Sequence, residues 1–295
     1  MEPRLRCKLR FWAAFGLTTL LTACGGGGAT PNPPPLGASS PSGGSGPLVW
    51  MINTGALDQL QQIDAQSLAT QVFDQPQNFI IGQPLPSWAS NWTVNQVVTE
   101  TSLAGISQAL GSGLSPSIKD IVYDLEDWSF SPPIEQQNPV ASTTAAAALV
   151  HQSGLELIAT PATDLVNVLS PGSSDKYASY LTLGIPAAAQ DADVFEIQAQ
   201  GSEMNEATYA AFVTAAAQAA RLANPKVMVL AGLSTNPNGQ QVTAQELYAD
   251  VQATRNVVDG YWLNIPADGP YCPNCGTPQP GVAVGLLQML QQTGS

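Results

Sequence analysis

From residue 48 onward, short runs of β-branched, aromatic and aliphatic residues alternate with longer Ala-rich stretches. Runs of strand length and composition occupy residues 48–52, 79–81, 121–123, 155–159, 194–197, 227–230 and 257–263. Stretches 57–72, 94–110, 139–152, 175–190, 205–223 and 243–255 lie between them and favour helix. Asn205 opens one of these, and Thr243 with Glu246 three residues on has capping-box spacing before another. Strand and helix in strict alternation build a parallel sheet with right-handed crossovers. Residues 48–295 match the roughly 250 residues of one (β/α)8 barrel. No Gly-rich phosphate loop follows the first strand, where Asn53-Thr54-Gly55-Ala56-Leu57 stands, so a closed TIM-type barrel is expected rather than an open doubly wound sheet. Only Val282-Ala283-Val284 is available as an eighth strand, which is expected to be short or irregular.

In such a barrel the chemistry belongs at the C-terminal strand ends. The third run ends in Asp124-Leu125-Glu126-Asp127-Trp128. Alternation turns Asp124 and Glu126 to one face and Leu125 to the other, so the two acids should titrate as a coupled pair able to hold a proton at neutral pH. Capping of the next segment is the alternative. The fifth run places Glu196, Gln198 and Gln200 on one face, with Glu203 in the loop beyond; a buried polar network and a binding surface both fit this row. The remaining ends offer Asn53, Gln83, Asp164, Asn236, Trp262 and Asn264. Trp50, Trp88, Trp92, Trp128, Tyr261 and Trp262 all fall at such ends or in the loops after them, where aromatic faces could stack on sugar rings.

Charge narrows the ligand. Only 11% of residues are charged, and the basic ones are scattered singly, which disfavours nucleic acid and strongly phosphorylated substrates. Amide and hydroxyl residues suit a neutral polar ligand. His151 is the only histidine and sits at a helix end leading into a strand, away from the expected active face. Serine or cysteine triads and His-based metal sites are thereby disfavoured, and no metal or cofactor is expected. Lys119 and Lys226 precede strands and Lys176 opens a helix, so no Schiff-base lysine is evident and acid–base work falls to carboxylates. Cys272-Pro273-Asn274-Cys275 lies in a Pro- and Gly-rich loop without a second pair for zinc. A local disulfide stiffening the rim is expected, with a redox pair as the alternative.

The N-terminus carries Arg4, Arg6, Lys8 and Arg10 before an apolar run, 11–21, too short to span a membrane as a mature helix. Leu21-Thr22-Ala23-Cys24-Gly25 resembles the lipobox of bacterial lipoproteins. That resemblance implies a signal peptide over 1–23, acylation of Cys24 and, with Gly25 behind it, an outer-membrane destination in the cell envelope. Removal of 1–23 would leave a net charge of −16. Residues 24–47, rich in Gly, Pro and Ser, read as a flexible tether.

Val122-Tyr123-Asp124-Leu125-Glu126 resembles the tail of the strand motif of chitinase-like barrels, which ends in Asp-x-Asp-x-Glu. The resemblance implies Glu126 as general acid and Asp124 as its supporting neighbour. Val122 stands where the motif has an earlier Asp, and the run counts here as the third strand rather than the fourth. The other large glycosidase pattern, with acids ending strands four and seven, does not match on this count. Two readings follow: a glycoside hydrolase-like enzyme with Glu196 or Glu203 as second carboxylate, and a non-catalytic barrel that binds glycans or serves as an envelope scaffold.

Overall fold

The computed structural model describes residues 46–270 and 272–293; the signal peptide, Cys24 and nearly all of the tether lie outside them. Eight parallel strands close into a barrel in sequence order: β1 Val49–Asn53, β2 Phe79–Ile81, β3 Asn95–Glu100, β4 Ile118–Tyr123, β5 Glu156–Ala159, β6 Val194–Ile197, β7 Met228–Ser234 and β8 Gly260–Asn264. The expected α/β barrel is therefore the fold. Around it run α1 Thr54–Gln62, α2 Gln66–Phe73, α3 Leu103–Ser112, α4 Pro133–Gln136, α5 Pro139–Gln152, α6 Leu165–Leu169, α7 Lys176–Thr182, α8 Glu206–Ala223, α9 Ala244–Thr254 and α10 Pro280–Gln292.

The strand count needs two corrections. Asn95–Glu100, expected as the start of a helix, is β3; of its six residues only Val97 is fully buried, so no apolar run announces it. Val97-Val98-Thr99 nonetheless carries the β-branched signature. Val282-Ala283-Val284, expected as the eighth strand, lies in α10, where Ala283, Leu286, Leu287 and Leu290 form one buried helical face. The Asp124–Glu126 strand is thus the fourth, its position in the chitinase-like motif. Strand four does end in acids, whereas strand seven ends in Ser234-Thr235-Asn236.

Side chains alternate across each strand between two cores. Val49, Met51, Phe79, Ile81, Val97, Val122, Ile158, Val194 and Leu230 fill the barrel interior. Residues of opposite parity, such as Ile52, Ile80, Ile121, Leu157 and Phe195, pack against the helices. Gly260 lets β8 approach β1, since a Cβ there would collide with the Val49 carbonyl. The Thr243–Glu246 capping box forms as its spacing predicts.

Candidate active site

A cavity of about 440 Å³ opens at the C-terminal strand ends. Asn53, Asp124, Glu126, Trp128, Asp164, Gln198, Gln200, Trp262 and Asn264 all line it, so the barrel brings together these nine expected residues from β1, β4, β5, β6 and β8 or the loops after them.

Asp124 and Glu126 face the same space because the extended chain continues past Tyr123, two residues apart. Thr160 Oγ1 donates to Asp124 Oδ1 at 2.9 Å. The Gln198 side-chain amide, from the end of β6, reaches Asp124 Oδ1 at 3.1 Å, Glu126 Oε1 at 3.2 Å and the Thr160 carbonyl at 3.1 Å. Burial pushes Asp124 up to about 6, while the Thr160 hydroxyl and the hydrogen bond from Glu126 hold it back. Burial, then the negative charges of Asp124 and Asp164, raise Glu126 well above the carboxylate range. The interaction between the two carboxyls favours the protonated form of Glu126 and the ionised form of Asp124, as in other close carboxyl pairs. Glu126 stays half-buried and open to the cavity.

The loop carrying Glu126 is held from below. Buried Gln136, on α4, donates to the carbonyls of Glu126, Trp128 and Ser131 at 2.9, 2.8 and 3.2 Å. Trp128 Nε1 donates to Ser131 Oγ at 2.9 Å, which sets the indole on the wall beside the acid. From the loop after neighbouring β5, Asp164 accepts the Asp127 backbone N–H at 3.0 Å, and burial raises its carboxyl as well. Asn53 Oδ1 accepts the Ala56 N–H at 2.7 Å, so this wall residue also caps α1.

Four expected site residues lie off the cavity wall. Glu196 points into the barrel interior, completely buried, and neither carboxyl oxygen has a hydrogen-bond partner among the described residues. Burial and the Asp124 charge raise it well above the carboxylate range, with the nearby Gln200 amide offsetting only part. Glu203 is 1% exposed and tied by the N–H groups of Ser234 and Gly201, at 2.8 and 2.6 Å, joining the β6 loop to the end of β7. Asn236 donates to the carbonyls of Pro266, Cys275 and Thr277, anchoring the loop after β8. Gln83 opens on a separate hollow with Gln96 and Ser117.

The aromatic rim is smaller than expected. Trp50 and Tyr261 have the outward parity of their strands and pack together at 5.8 Å in the outer core, and Trp88 pairs edge-on with Trp92 away from the cavity. Trp128 and Trp262 line it. Lys176 opens α7 as expected, yet its side chain reaches the cavity wall; Ser234, at the end of β7, lines the same wall. The Cys272 and Cys275 sulfurs meet as a disulfide pair, Cα atoms 5.5 Å apart, on the same rim. His151 ends α5 and contacts Asp193 at 2.8 Å on the opposite face of the barrel.

No family model matches the chain. No curated protein matches it either. Among solved structures, a class V chitinase from Pseudomonas fluorescens is 12% identical over 85% of this chain and 100% of its own, with a TM-score of 0.46. A chitinase from Chromobacterium violaceum is 12% identical over 82% and 99%, with a TM-score of 0.43. The carboxyl transferase domain of Rhizobium etli pyruvate carboxylase is 11% identical with a TM-score of 0.46; the match covers 85% of this chain but only about half, 48%, of that one. These likenesses are of the barrel, and the chemistry of the cavity rests on this chain's own residues.

Proposed function

We propose that this barrel is a glycoside hydrolase-like enzyme acting on a neutral glycan, with Glu126 as general acid. The Asp124–Glu126 pair carries the reading: a carboxyl raised well above the usual range and open to the cavity, beside an acid raised to about 6, at the mouth of a cavity walled by amides and two tryptophans. Glu126 would give its proton to the leaving glycosidic oxygen. Asp124, its charge supported by Thr160 and Gln198, would stabilise the positive charge growing on the sugar ring. Glu196 and Glu203 lie off the cavity wall, so the second carboxylate role falls to Asp164, the other acid on the wall among the described residues: it would take a proton from the water whose oxygen bonds the sugar carbon as the bond to the leaving oxygen breaks. Reducing-end release from a panel of neutral polysaccharides tests this. Wild type should turn over at least one of them, Glu126→Gln should be slower by about 10²–10⁴, and Asp164→Asn should lose activity as well. Activity surviving in Asp164→Asn would leave Glu126 assisted by a group of the substrate itself.

We also propose that the chain is exported and acylated at Cys24, holding the barrel at the outer membrane. The lipobox-like 21–25 and the Gly/Pro/Ser-rich 24–47 support this.

A further inference from the structure

The loop between β4 and α4 carries Glu126, Trp128 and Phe130 within five residues, and its backbone is fastened at each of them. The Trp128 N–H donates to the Glu126 carbonyl at 3.0 Å, and the Gln136 amide holds the carbonyls of both. Thr101 Oγ1, just past β3, donates to the Phe130 carbonyl at 3.0 Å. Buried Ser131 accepts the indole N–H of Trp128, which sets that ring on the cavity wall. Phe130 is 41% exposed, and among the described residues no other aromatic side chain stands as far into solvent. Its ring meets the Trp128 indole edge-on, with centroids 5.2 Å apart and planes at 84°. A single exposed apolar residue is ordinary on a protein surface. This one extends a wall: Trp128 lines the cavity and Phe130 does not, so the pair carries an aromatic surface from beside the acid to the outside of the cavity. A glycan chain cleaved at Glu126 continues past the broken bond, and the sugar on the leaving side lies next to the acid that protonates its oxygen.

We propose that Trp128 and Phe130 form a stacking platform for the leaving-side sugars of a neutral glycan chain, so that the substrate is a chain rather than a short glycoside. The C–H face of a pyranose packs on an aromatic ring, and a rigid ring gives that contact at little cost in side-chain entropy. Acid and platform share one fastened loop, so a sugar stacked there is held at a fixed place relative to the Glu126 carboxyl. This rests on the glycoside hydrolase reading of the cavity and adds the part of the substrate that the cavity does not enclose.

The test is calorimetric binding of xylo-, manno-, cello- and N-acetylglucosamine hexaoses to the full chain carrying Glu126→Gln, which removes turnover and keeps the platform. Phe130→Ala and Phe130→Trp are added to that background. Phe130→Ala is expected to weaken the best-bound hexaose by about 3- to 10-fold, and Phe130→Trp, which keeps a flat ring, to bind it at least as tightly as the parent. Both should melt with the parent, since the side chain stands well into solvent. In the active enzyme, Phe130→Ala should move the cuts in a hexaose labelled at its reducing end toward shorter labelled products, because the leaving side has lost binding. Unchanged hexaose binding in Phe130→Ala, equal loss in Phe130→Trp, cuts moved toward longer labelled products, or binding of no hexaose overturns the proposal. A hexaose bound through Phe130 but never cut sinks the catalytic reading and leaves the glycan platform standing. Cleavage that depends on Glu126 yet is indifferent to Phe130→Ala keeps the acid and removes the platform.

Discussion

The side-chain amide of Gln198 reaches Glu126 Oε1 at 3.2 Å from a strand two places around the barrel, and the same nitrogen bonds Asp124. One neutral amide therefore favours the ionised form of both acids against the burial that raises them. Replacing it with Leu should raise both. Asp124 would then ionise above about 6, and the acidic and basic limbs of the pH–rate profile would both move alkaline by about one unit, the worth of one hydrogen bond to a charge. A profile that keeps its limbs while only the melting temperature falls would make Gln198 a packing residue.

Stability should fall as pH rises. Asp250, on α9, is completely buried with neither oxygen bonded among the described residues, and burial, then the Glu203 charge, push it from 3.8 to about 8. A folded value above the unfolded one means that the protonated form favours the fold. Its contribution is complete below about pH 4 and lost as pH climbs through about 8. Asp250→Asn fixes the neutral form, so it should melt with wild type at pH 4 and above it at pH 8. Equal melting at both pH values would show that Asp250 does not titrate in the fold.

The loop after β8 has two fastenings, the Cys272–Cys275 pair and the Asn236 amide. A thiol count on the unreduced, denatured protein should find neither Cys272 nor Cys275 free. Asn236→Ala removes one donor from three carbonyls and should cost about 1–3 kcal/mol in a denaturant titration. Two free thiols, or a midpoint unchanged by Asn236→Ala, would contradict these assignments.

Acylation is checked in a bacterial host with labelled fatty acid. Wild type should take up label and fractionate with membranes, and Cys24→Ala should do neither. Equal labelling of the variant would remove the anchor.

What could be read along the chain was whatever repeats locally. Alternation alone put Asp124 and Glu126 on one face, and the apolar runs gave seven of the eight strands. β3 escaped because it turns a single fully buried residue, Val97, to the interior, leaving no run to see. Trp50 and Tyr261 were placed on the rim by nearness to a strand end, whereas their parity turns them outward onto the helices. Which distant backbone groups a side chain would satisfy was not legible. Glu203 and Asn236 look like ligand-binding side chains in sequence, yet the backbone groups they satisfy belong wholly or partly to distant strand ends and loops. Lys176 reaches the cavity only through the course of the loop before α7.

The most direct test of the central claim compares Glu126→Gln with wild type for both hydrolysis and stability. The glutamine keeps the shape and hydrogen-bonding reach of the acid but has no proton to give. Activity on the polysaccharide that wild type hydrolyses should fall by about 10²–10⁴, with the melting temperature nearly unchanged. Full activity in the variant, or a wild type that hydrolyses nothing while Glu126→Gln loses about 1–3 kcal/mol of stability, would instead make Glu126 a member of a buried polar network in a non-catalytic barrel.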